Sequence, residues 1–306
     1  MKRILITGGA GFIGSHTADY ILAQGANVIV YDNLSTGKLS NLNVFHPNLR
    51  VVQGDVLDYA LLQKEINAAD AVLHLAALPS VIKSIENPIE TLKVNTLGFL
   101  HVLQAVRASH TSKRLVYASS AAVYGDTKDL PCDDEKPLSY TALSPYALEK
   151  ANNERYAALH GHLYDIKSLG LRYFNVYGKR QDPHSPYSGV ISKFIERYQK
   201  KESLIIFGDG EQSRDFIHVE DVARANFLAL MSDVSGVLNI ATGVPETLNR
   251  MIGYIEAIGL QKALIEYGPA RLGDIFQSYG GTGAAQKLID FTYQISLASG
   301  LKNISP

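Results

Sequence analysis

Residues 4–14 read ILITGGAGFIG, and together with the residues as far as Asp32 they decide the fold of this chain. The apolar residues Ile4 to Ile6 predict a strand that ends in a glycine-rich turn, where the backbone can approach a phosphate closely. The following HTADYILAQG predicts a helix whose first N–H groups point at that phosphate. A second predicted strand, NVIVYD, ends in Asp32. Strand, turn, helix and strand in this order predict a phosphate-binding βαβ unit.

The same unit indicates the class of cofactor. Gly9, Gly11 and Gly14 match the spacing of the dinucleotide-binding fingerprint, and Asp32 ends the second strand eighteen residues after Gly14. A carboxylate at that position holds the ribose hydroxyls of adenosine. Its charge would repel a 2′-phosphate, and residues 33–37 contain no arginine that could bind one. The sequence therefore predicts NAD rather than NADP.

Composition and charge favour a globular enzyme that acts on small molecules. The chain has 306 residues, of which 46% are hydrophobic and 19% charged, enough for one large core or two unequal lobes. A formal net charge of −1 provides no basic surface for nucleic acid or an anionic membrane. The apolar run after Arg3 is too short for a signal peptide, and no run reaches membrane-spanning length. We expect a cytoplasmic protein without nucleic-acid or membrane partners, in which the single cysteine, Cys132, is inert.

Further strand-like segments alternate with stretches of helical spacing. They lie at residues 49–53, 71–75, 114–119 and 166–174. This α/β alternation predicts a doubly wound, Rossmann-type parallel sheet covered on both faces. The alternation stops near Asn175, and residues 177–189 are typical of a long loop. We therefore expect an NAD-binding domain over residues 1–175, to which residues 215–238 return, and a smaller C-terminal α/β substrate lobe over residues 176–306.

The spacing Tyr-x-x-x-Lys occurs twice, at Tyr124/Lys128 and at Tyr146/Lys150. A Gly-Asp turn signal follows Tyr124, so we interpret that pair as accidental. The Ser-Pro pair before Tyr146 is typical of a helix N-cap and first turn, which places Tyr146 and Lys150 on one helix face. A nearby ammonium, a helix N-terminus and a positive nicotinamide each favour the phenolate of a tyrosine, whose ordinary pKa is about 10. Tyr146 is thus a candidate general base.

Two serines, Ser119 and Ser120, end the strand predicted at residues 114–119. They would lie at the carboxyl edge of the sheet, where open α/β folds bind their ligands. We predict that Ser120 hydrogen-bonds the reacting oxygen.

Neither His160 with His162 nor any other cluster has metal-ligand spacing, so no metal is expected.

An ordered set of motifs extends over nearly the whole chain: TGGAGFIG, HLAA at residues 74–77, SSAAVYG, YALEK and RYFNVYGKRQDP. With these motifs the chain resembles the extended short-chain dehydrogenase/reductases that act on nucleotide sugars, and looks most like the UDP-hexose 4-epimerases. The resemblance implies an NAD-dependent 4-epimerase that works through a transient 4-keto sugar. Its substrates would be UDP-N-acetylglucosamine and UDP-N-acetylgalactosamine, UDP-glucose and UDP-galactose, or both pairs.

The resemblance also implies which residues form each site. The catalytic residues would be Ser120, Tyr146 and Lys150. The cofactor-binding residues would be Gly8, Gly11, Phe12, Ile13, Gly14, Asp32, Asn33, Ser35, Thr36, Gly37, Asp55, Val56, Leu75, Ala76, Ala77, Lys83, Asn95, Tyr146, Lys150 and Tyr173. The substrate-binding residues would be Ser120, Tyr146, Asn175, Arg214, Arg271, Asp274 and Ser278. Among these, Arg214 would bind the UDP phosphates, for which a planar bidentate donor is suited.

Particular positions narrow the reaction and the sugar. In the related 4,6-dehydratases and decarboxylases, an acidic residue follows the serine or threonine matching Ser120 within two positions, but here both positions are alanine, Ala121 and Ala122. Elimination therefore lacks its acid, whereas reversible oxidation at C4 needs only the catalytic residues and NAD. Ser278 stands where these epimerases carry either a bulky tyrosine or a small residue. A small residue leaves room for an N-acetyl group at C2 of the sugar.

Two other functions stay open at this stage. A nucleotide-sugar 4-ketoreductase on the same scaffold would consume reduced cofactor, and a non-catalytic nucleotide-sensing protein would need no catalytic residues.

Residues 89–109 predict a long helix with an apolar face, which includes Leu92 and Phe99 and could pack on the sheet or on a partner subunit. By the resemblance, we expect a homodimer joined through the helices near residues 89–109 and 144–160.

Overall fold

The fold is taken from a computed structural model that describes residues 2–109, 113–136, 138, 142–183, 189–270 and 275–304. The helices and strands up to Ser120 are β1 (Arg3–Thr7), α1 (Phe12–Ala23), β2 (Asn27–Asp32), β3 (Leu49–Gln53), α2 (Tyr59–Asn67), β4 (Ala71–His74), α3 (Val81–Glu86), α4 (Pro88–Leu92), α5 (Gly98–Arg107) and β5 (Arg114–Ser120). Those that follow are α6 (Pro145–Tyr164), β6 (Ser168–Tyr173), β7 (Asn175–Tyr177), α7 (Val190–Gln199), β8 (Leu204–Phe207), β9 (Ser213–His218), α8 (Val219–Met231), β10 (Gly236–Ile240), β11 (Pro245–Thr247), α9 (Leu248–Gly259), β12 (Ile265–Gly268), β13 (Gln277–Ser278), α10 (Gly283–Ile289) and α11 (Leu297–Ile304).

Within the described residues, seven parallel strands form the central sheet in the order β10-β6-β5-β4-β1-β2-β3. Successive residues of β1 face opposite sides. Ile4 and Ile6 pack with residues of α1 and α8, whereas Leu5 packs with residues of α2 and α5. The sheet is therefore buried on both faces, and the predicted doubly wound α/β fold is confirmed.

The strand order reverses at β1, because the chain runs outward to β2 and β3 before it returns to β4 on the other side. In an open parallel sheet such a reversal leaves a crevice at the carboxyl ends of the strands. Thr7, Asp32, His74, Ser120 and Tyr173 end their strands along this edge. The fold thus brings the predicted cofactor and catalytic residues to one edge.

The smaller lobe is built around β9, which pairs with β7 and β13 in parallel and with β11 in the antiparallel sense. Its core lies between α7, α9 and α11. The segment that returns to the large sheet consists of α8 and β10, residues 219–240. Residues 215–218, predicted to return with it, lie instead in β9 of the small sheet. The division of the chain into two domains near Asn175 stays a prediction.

The helix predicted over residues 89–109 is divided into α4, a π-helical turn at Lys93–Leu97, and α5. Phe99 is fully buried against the sheet, but Leu92 is largely exposed, so the predicted apolar face does not all turn inward. No helix in the described part of the chain combines the length and the apolar character needed to cross a membrane.

Candidate active site

The turn between β1 and α1 is shaped by its glycines. Gly8 has a φ of +70°, and a Cβ there would lie 2.7 Å from the backbone nitrogen of Ala76. A Cβ on Gly14, in the first turn of α1, would collide with the Gly8 carbonyl. Gly11 caps the helix without a side-chain hydrogen bond, so α1 opens with N–H groups that no side chain of its cap occupies. The glycine turn and the N-terminus of α1 can therefore hold a diphosphate through backbone N–H groups.

Asp32 is buried where β2 ends, beside this turn. Its carboxylate accepts hydrogen bonds from the backbone N–H groups of Ala10 and Leu34, at 2.9 and 2.8 Å. Burial raises the pKa of Asp32, and these two hydrogen bonds act in the opposite direction. A Cβ on Gly37 would lie 2.9 Å from Asp32 Oδ2, so residues 33–37 fold back tightly over the carboxylate. The predicted ribose-binding segment is therefore assembled around Asp32.

The expected adenine-side residues follow β3. Asp55 Oδ2 accepts from the amide of Asn33 at 2.8 Å, and its Oδ1 accepts from the N–H of Leu57 at the same distance. Asp58, rather than Asp55, caps α2. Val56 is buried against Gly98 of α5. This loop is thus fixed by its own polar contacts, next to the loop that carries Asn33.

The segment Leu75 to Ala77 follows β4 and packs against the glycine turn. Thr7 Oγ1 lies 2.8 Å from Nδ1 of His74 and accepts from the N–H of Ala76 at 3.3 Å. Asn95, in the π-helical turn, accepts from the N–H of Leu78 at 2.8 Å and donates to its carbonyl at 3.2 Å. Asn95 therefore positions the loop that carries the predicted cofactor contacts.

Sequence reasoning did not identify Thr7 and His74 as part of this arrangement. Burial lowers the pKa of His74 to about 3, and the charge of Lys150 acts in the same direction, so this histidine is neutral. The available signal was a polar residue at the carboxyl end of each of two largely apolar strands, Thr7 in β1 and His74 in β4.

The predicted cofactor residue Lys83 lies in α3, where its Nζ is 3.4 Å from Glu90 Oε1.

Helix α6 begins as predicted and carries the tyrosine and lysine into the crevice. Ser144 caps it by accepting from the N–H of Ala147 at 3.1 Å, and the N–H of Tyr146 donates to Oγ of Ser84 in α3. Lys150 Nζ donates to the carbonyl of Ala118 in β5 at 2.9 Å and lies 5.8 Å from the centre of the Tyr146 ring. The tyrosine is 9% exposed and the lysine 3%. Both side chains are therefore removed from bulk water.

Burial shifts the pKa values of both members of this pair in the protein without ligand. Burial raises the pKa of Tyr146 to about 12, although a side-chain hydrogen bond with Ser120 lowers it. Burial lowers the pKa of Lys150 to about 8, although the charges of Glu149 and Glu154 raise it. In the protein alone, desolvation thus outweighs the groups that favour the phenolate. The phenolate therefore depends on positive charge that a bound ligand brings to the crevice.

A buried polar network lies behind Ser120. Glu154 of α6 accepts from the hydroxyl of Ser119 at 2.5 Å and forms an ion pair with Arg172 of β6 at 2.7 Å. Arg172 also donates to the hydroxyl of Tyr124 at 2.7 Å. Tyr124 is therefore part of this network, whereas Lys128 is exposed and pairs with Asp126. The structure does not bring Tyr124 and Lys128 together.

Tyr173, predicted to flank the nicotinamide, ends β6 directly beside Ser120 of β5. Its hydroxyl donates to Asn226 of α8 at 2.6 Å, and Asn226 in turn donates to Thr17 of α1. The hydroxyl of Tyr173 is therefore hydrogen-bonded to the helix layer of α8 and, through Asn226, to α1.

The predicted substrate residues of the small lobe lie on adjacent strands. Arg214 of β9 is the register partner of Ser278 in β13 on one side and of Glu246 in β11 on the other. Asn175, in β7, donates to the backbone carbonyl of Asp215 at 3.2 Å. The structure thus groups Asn175, Arg214 and Ser278. The predicted residues Arg271 and Asp274 lie outside the described residues.

Asp215 is a buried residue that sequence reasoning missed. Its carboxylate accepts from the N–H and hydroxyl of Thr242, at 2.8 and 2.7 Å, and from the N–H groups of Gly243 and Gly280, at 2.9 and 3.3 Å. It therefore ties the loop after β10 and the segment after Ser278 to the strand that carries Arg214. The available signal was an acid directly before the apolar pair Phe216 and Ile217 of β9.

The chain matches a known protein family over most of its length. Residues 4–241 match the model of the NAD dependent epimerase/dehydratase family, which is well over half of the chain. The chain belongs to this family. The resemblance drawn from the motifs is therefore confirmed, and so is the NAD dependence that Asp32 predicted.

Relatives of this family enzyme include nucleotide-sugar 4-epimerases of known structure. The UDP-N-acetylglucosamine 4-epimerase of Methanobrevibacter ruminantium, in complex with UDP-N-acetylmuramic acid, is 38% identical with a TM-score of 0.94. The UDP-glucose 4-epimerase of Thermotoga maritima, with UDP-glucose, is 36% identical with a TM-score of 0.92. That of Thermus thermophilus, in complex with NAD, is 33% identical with a TM-score of 0.90. Each comparison covers 99% of this chain and 97% of the other. The chain is an enzyme of the NAD-dependent nucleotide-sugar epimerase type.

The residues of this epimerase-family enzyme fit NAD. A Cβ on Gly8 would meet the backbone of Ala76, so the turn needs glycine there, and Asp32 with residues 33–37 provides the carboxylate and the tight loop predicted to hold the adenosine ribose. Among the described residues, no group of three His, Cys, Asp or Glu side chains is arranged to bind a metal.

Cys132 is buried, and burial raises the pKa of its thiol to about 11. Its thiolate is therefore a minor species at neutral pH, as expected of an inert cysteine.

Proposed function

We propose that this enzyme is a 4-epimerase of UDP-hexoses, acting on UDP-N-acetylglucosamine and UDP-N-acetylgalactosamine, on UDP-glucose and UDP-galactose, or on both pairs. The observation that carries the proposal is the meeting of Ser120, Tyr146 and Lys150 at the carboxyl edge of β5, followed by Ala121 and Ala122. Elimination would need a carboxyl group at one of these two positions. Reversible proton transfer at a C4 hydroxyl needs only a hydroxyl and a phenol.

The catalytic residues divide the proton chemistry between them. Bound NAD would supply reversible uptake of hydride from C4 of the sugar. Ser120 holds the C4 oxygen by a hydrogen bond, and Tyr146 takes the hydroxyl proton, directly or through Ser120. Lys150, anchored by the Ala118 carbonyl, places positive charge beside the phenol. The same groups return the proton when the transient 4-keto sugar is reduced on its other face.

The small lobe would hold the rest of the substrate. Arg214 provides a planar guanidinium for the diphosphate, and Asn175 lies on the neighbouring strand. Asp215 ties these strands to the loop after β10 of the large sheet by buried hydrogen bonds, which supports a fixed position of the proposed diphosphate site relative to Tyr146. The predicted roles of Arg271 and Asp274 stay part of this proposal.

The test is proton NMR of the anomeric region after incubation of the purified protein with each UDP-sugar, without added reductant. Formation of the C4 epimer supports the proposal, and NAD should be found in the supernatant of heat-denatured protein. Stoichiometric oxidation of NADH or NADPH in a separate incubation with a nucleotide-linked 4-keto sugar, with no epimer formed from either UDP-hexose, would instead identify a 4-ketoreductase.

Ser278 should decide which sugars are accepted. It is half-buried beside Arg214, so a tyrosine in its place would project from the strand next to the proposed diphosphate site. We expect Ser278→Tyr to lower kcat/KM for UDP-N-acetylglucosamine by at least about tenfold and to change that for UDP-glucose much less, since only the former carries a bulky C2 substituent. The control is Ser278→Ala, which keeps the space and should keep the ratio of the two values. Equal losses for both sugars in the tyrosine variant would contradict this role.

We also propose that the enzyme is a homodimer. An apolar stripe remains exposed on two neighbouring helical segments, with Ile89 of α4 69% exposed and Leu159 of α6 47% exposed. Leu148 and Leu163 lie on the same face of α6 as Leu159, at helical spacing. A second copy of the chain would cover both helices in a four-helix contact, which is the arrangement that the family resemblance implies. Patches of this kind mark interfaces in soluble proteins.

A single charge in the middle of this stripe should separate the subunits. We expect Leu159→Asp to be monomeric in sedimentation equilibrium at concentrations where the parent is dimeric, because association would bury an unpaired carboxylate. Leu260→Asp, at a position 90% exposed in the small lobe, is the matched control and should stay dimeric. A parent protein that sediments as a monomer would refute the proposed assembly.

A further inference from the structure

A buried carboxylate lies directly before Lys150 in α6. Glu149 is 4% exposed, and it accepts hydrogen bonds from Thr91 Oγ1 at 2.8 Å and from Asn95 Nδ2 at 2.6 Å. Thr91 lies in α4 and Asn95 in the π-helical turn, and both segments pack against α6. Burial of a charged group is costly unless donors of this kind compensate it. Glu149 is therefore held at a defined place beside the catalytic pair.

The other groups near Lys150 leave Glu149 as a negative charge that can compensate the charge of the lysine. The other nearby carboxylate, Glu154, is already paired with Arg172 at 2.7 Å. From β4, the neutral ring of His74 lies near the lysine, and from β5 the Ala118 carbonyl accepts a hydrogen bond from its Nζ. Among the described residues, Glu149 is the buried carboxylate near Lys150 that has no cation in direct contact.

We propose that Glu149 is a positioning residue whose negative charge keeps Lys150 protonated beside Tyr146. The inference rests on the proposed catalytic roles of Tyr146 and Lys150. Burial works against the ammonium of Lys150, and the Coulomb attraction of Glu149 opposes that effect. Through Asn95, which also holds Leu78, the same carboxylate ties α6 to the loop after β4.

Replacing Glu149 with Gln separates charge from shape. The glutamine carbonyl can accept from Asn95, and its NH₂ group can donate to the Thr91 hydroxyl, which accepts as well as it donates. Both hydrogen bonds can therefore survive in Glu149→Gln while the charge is lost. Glu149→Asp does the reverse, because it keeps the charge and shortens the reach of the side chain.

The first readout is the pKa of Lys150 itself, in purified protein without substrate. It is followed by NMR of the Cε protons and carbons of isotope-labelled lysine, and the signal is assigned by its loss in Lys150→Met. The parent value should be about 8. We expect Glu149→Gln to lower it by about one unit, the effect of a removed neighbouring charge. Glu149→Asp should restore most of the parent value, and Glu86→Gln, on the exposed side of α3, should leave it unchanged.

The second readout is the pH profile of turnover. Since the active form needs protonated Lys150, activity is lost as pH rises through its pKa, and Glu149→Gln should move this alkaline limb to lower pH. The acid limb should move the same way, because the charge of Glu149 also raises the pKa of Tyr146. A folded Glu149→Gln protein with the parent pKa at Lys150 would overturn the inference, as would a Glu149→Asp protein as strongly shifted as Glu149→Gln. If the parent lacks epimerase activity, the proposed function fails, while the NMR titration still decides the role of Glu149.

Discussion

Replacing Tyr146 with Phe should reduce epimerisation of the UDP-sugar by roughly 100- to 10,000-fold, the range of a lost general acid–base group. The phenol hydroxyl is the group that takes and returns the C4 proton in the proposed reaction. The ring is 9% exposed and stays in place in the variant, so the packing of α6 and the contact of Lys150 with Ala118 should persist. The loss should therefore appear in kcat, with NAD content and thermal unfolding close to those of the parent.

The measurement is a time course of anomeric proton signals under saturating substrate, with NAD released from denatured protein as the check on cofactor binding. Tyr267→Phe, at an exposed position of β12, is the matched control and should keep full activity. A Tyr146→Phe enzyme that retains more than about a tenth of the parent rate would exclude Tyr146 as the base.

Replacing Glu154 with Ala should lower the free energy of unfolding by about 3–5 kcal/mol, because it leaves a buried guanidinium unpaired. Arg172 is buried in β6, between β10 and β5 of the central sheet, and its ion pair with Glu154 joins β6 to α6. The same carboxylate accepts from Ser119, next to the catalytic serine. The loss of one side chain therefore affects β5, which carries Ser120, helix α6, which carries Tyr146 and Lys150, and β6.

The chain contains no tryptophan, so the transition is best followed by far-ultraviolet circular dichroism during urea unfolding. The double variant Glu154→Leu/Arg172→Met should recover most of the lost stability, since replacing both ions by apolar groups of similar size removes the unpaired charge. Lys262→Ala, which breaks a surface pair with Glu256, should leave the midpoint unchanged. A decrease in the free energy of unfolding below about 1 kcal/mol in Glu154→Ala would show that water reaches Arg172 and that the ion pair is not buried from solvent.

Much of the catalytic constellation is readable from local sequence. The glycine turn, Asp32, the Ser-Pro start of α6 and the Tyr146/Lys150 spacing each depend on residues within one or two turns of each other. Their geometry follows from the periods of strand and helix, which hold whatever the rest of the chain does. The parallel sheet then brings their ends together, because strands of one direction share a carboxyl edge.

The electrostatics of the same residues could not be predicted this way. The expectation that the phenolate is favoured named Lys150, the helix N-terminus and the nicotinamide, but it left out the burial of Tyr146 by distant segments, which raises the pKa of the phenol. Likewise, the commitment of the Tyr173 hydroxyl to Asn226 joins residues 53 positions apart. Desolvation and long-range partners depend on packing, which no local pattern encodes.

The sequence by itself therefore determined the fold class, the family and the cofactor, and it predicted the residues proposed to bind NAD and to move protons, since these follow from short-range spacing and from the chemistry of side-chain types. Only the tertiary structure decided which charges surround Lys150, how Asp215 joins the two lobes, and that Ser278 lies beside Arg214. Those contacts join segments far apart in the chain. Their energies are set by burial and distance, which exist only once the chain is folded.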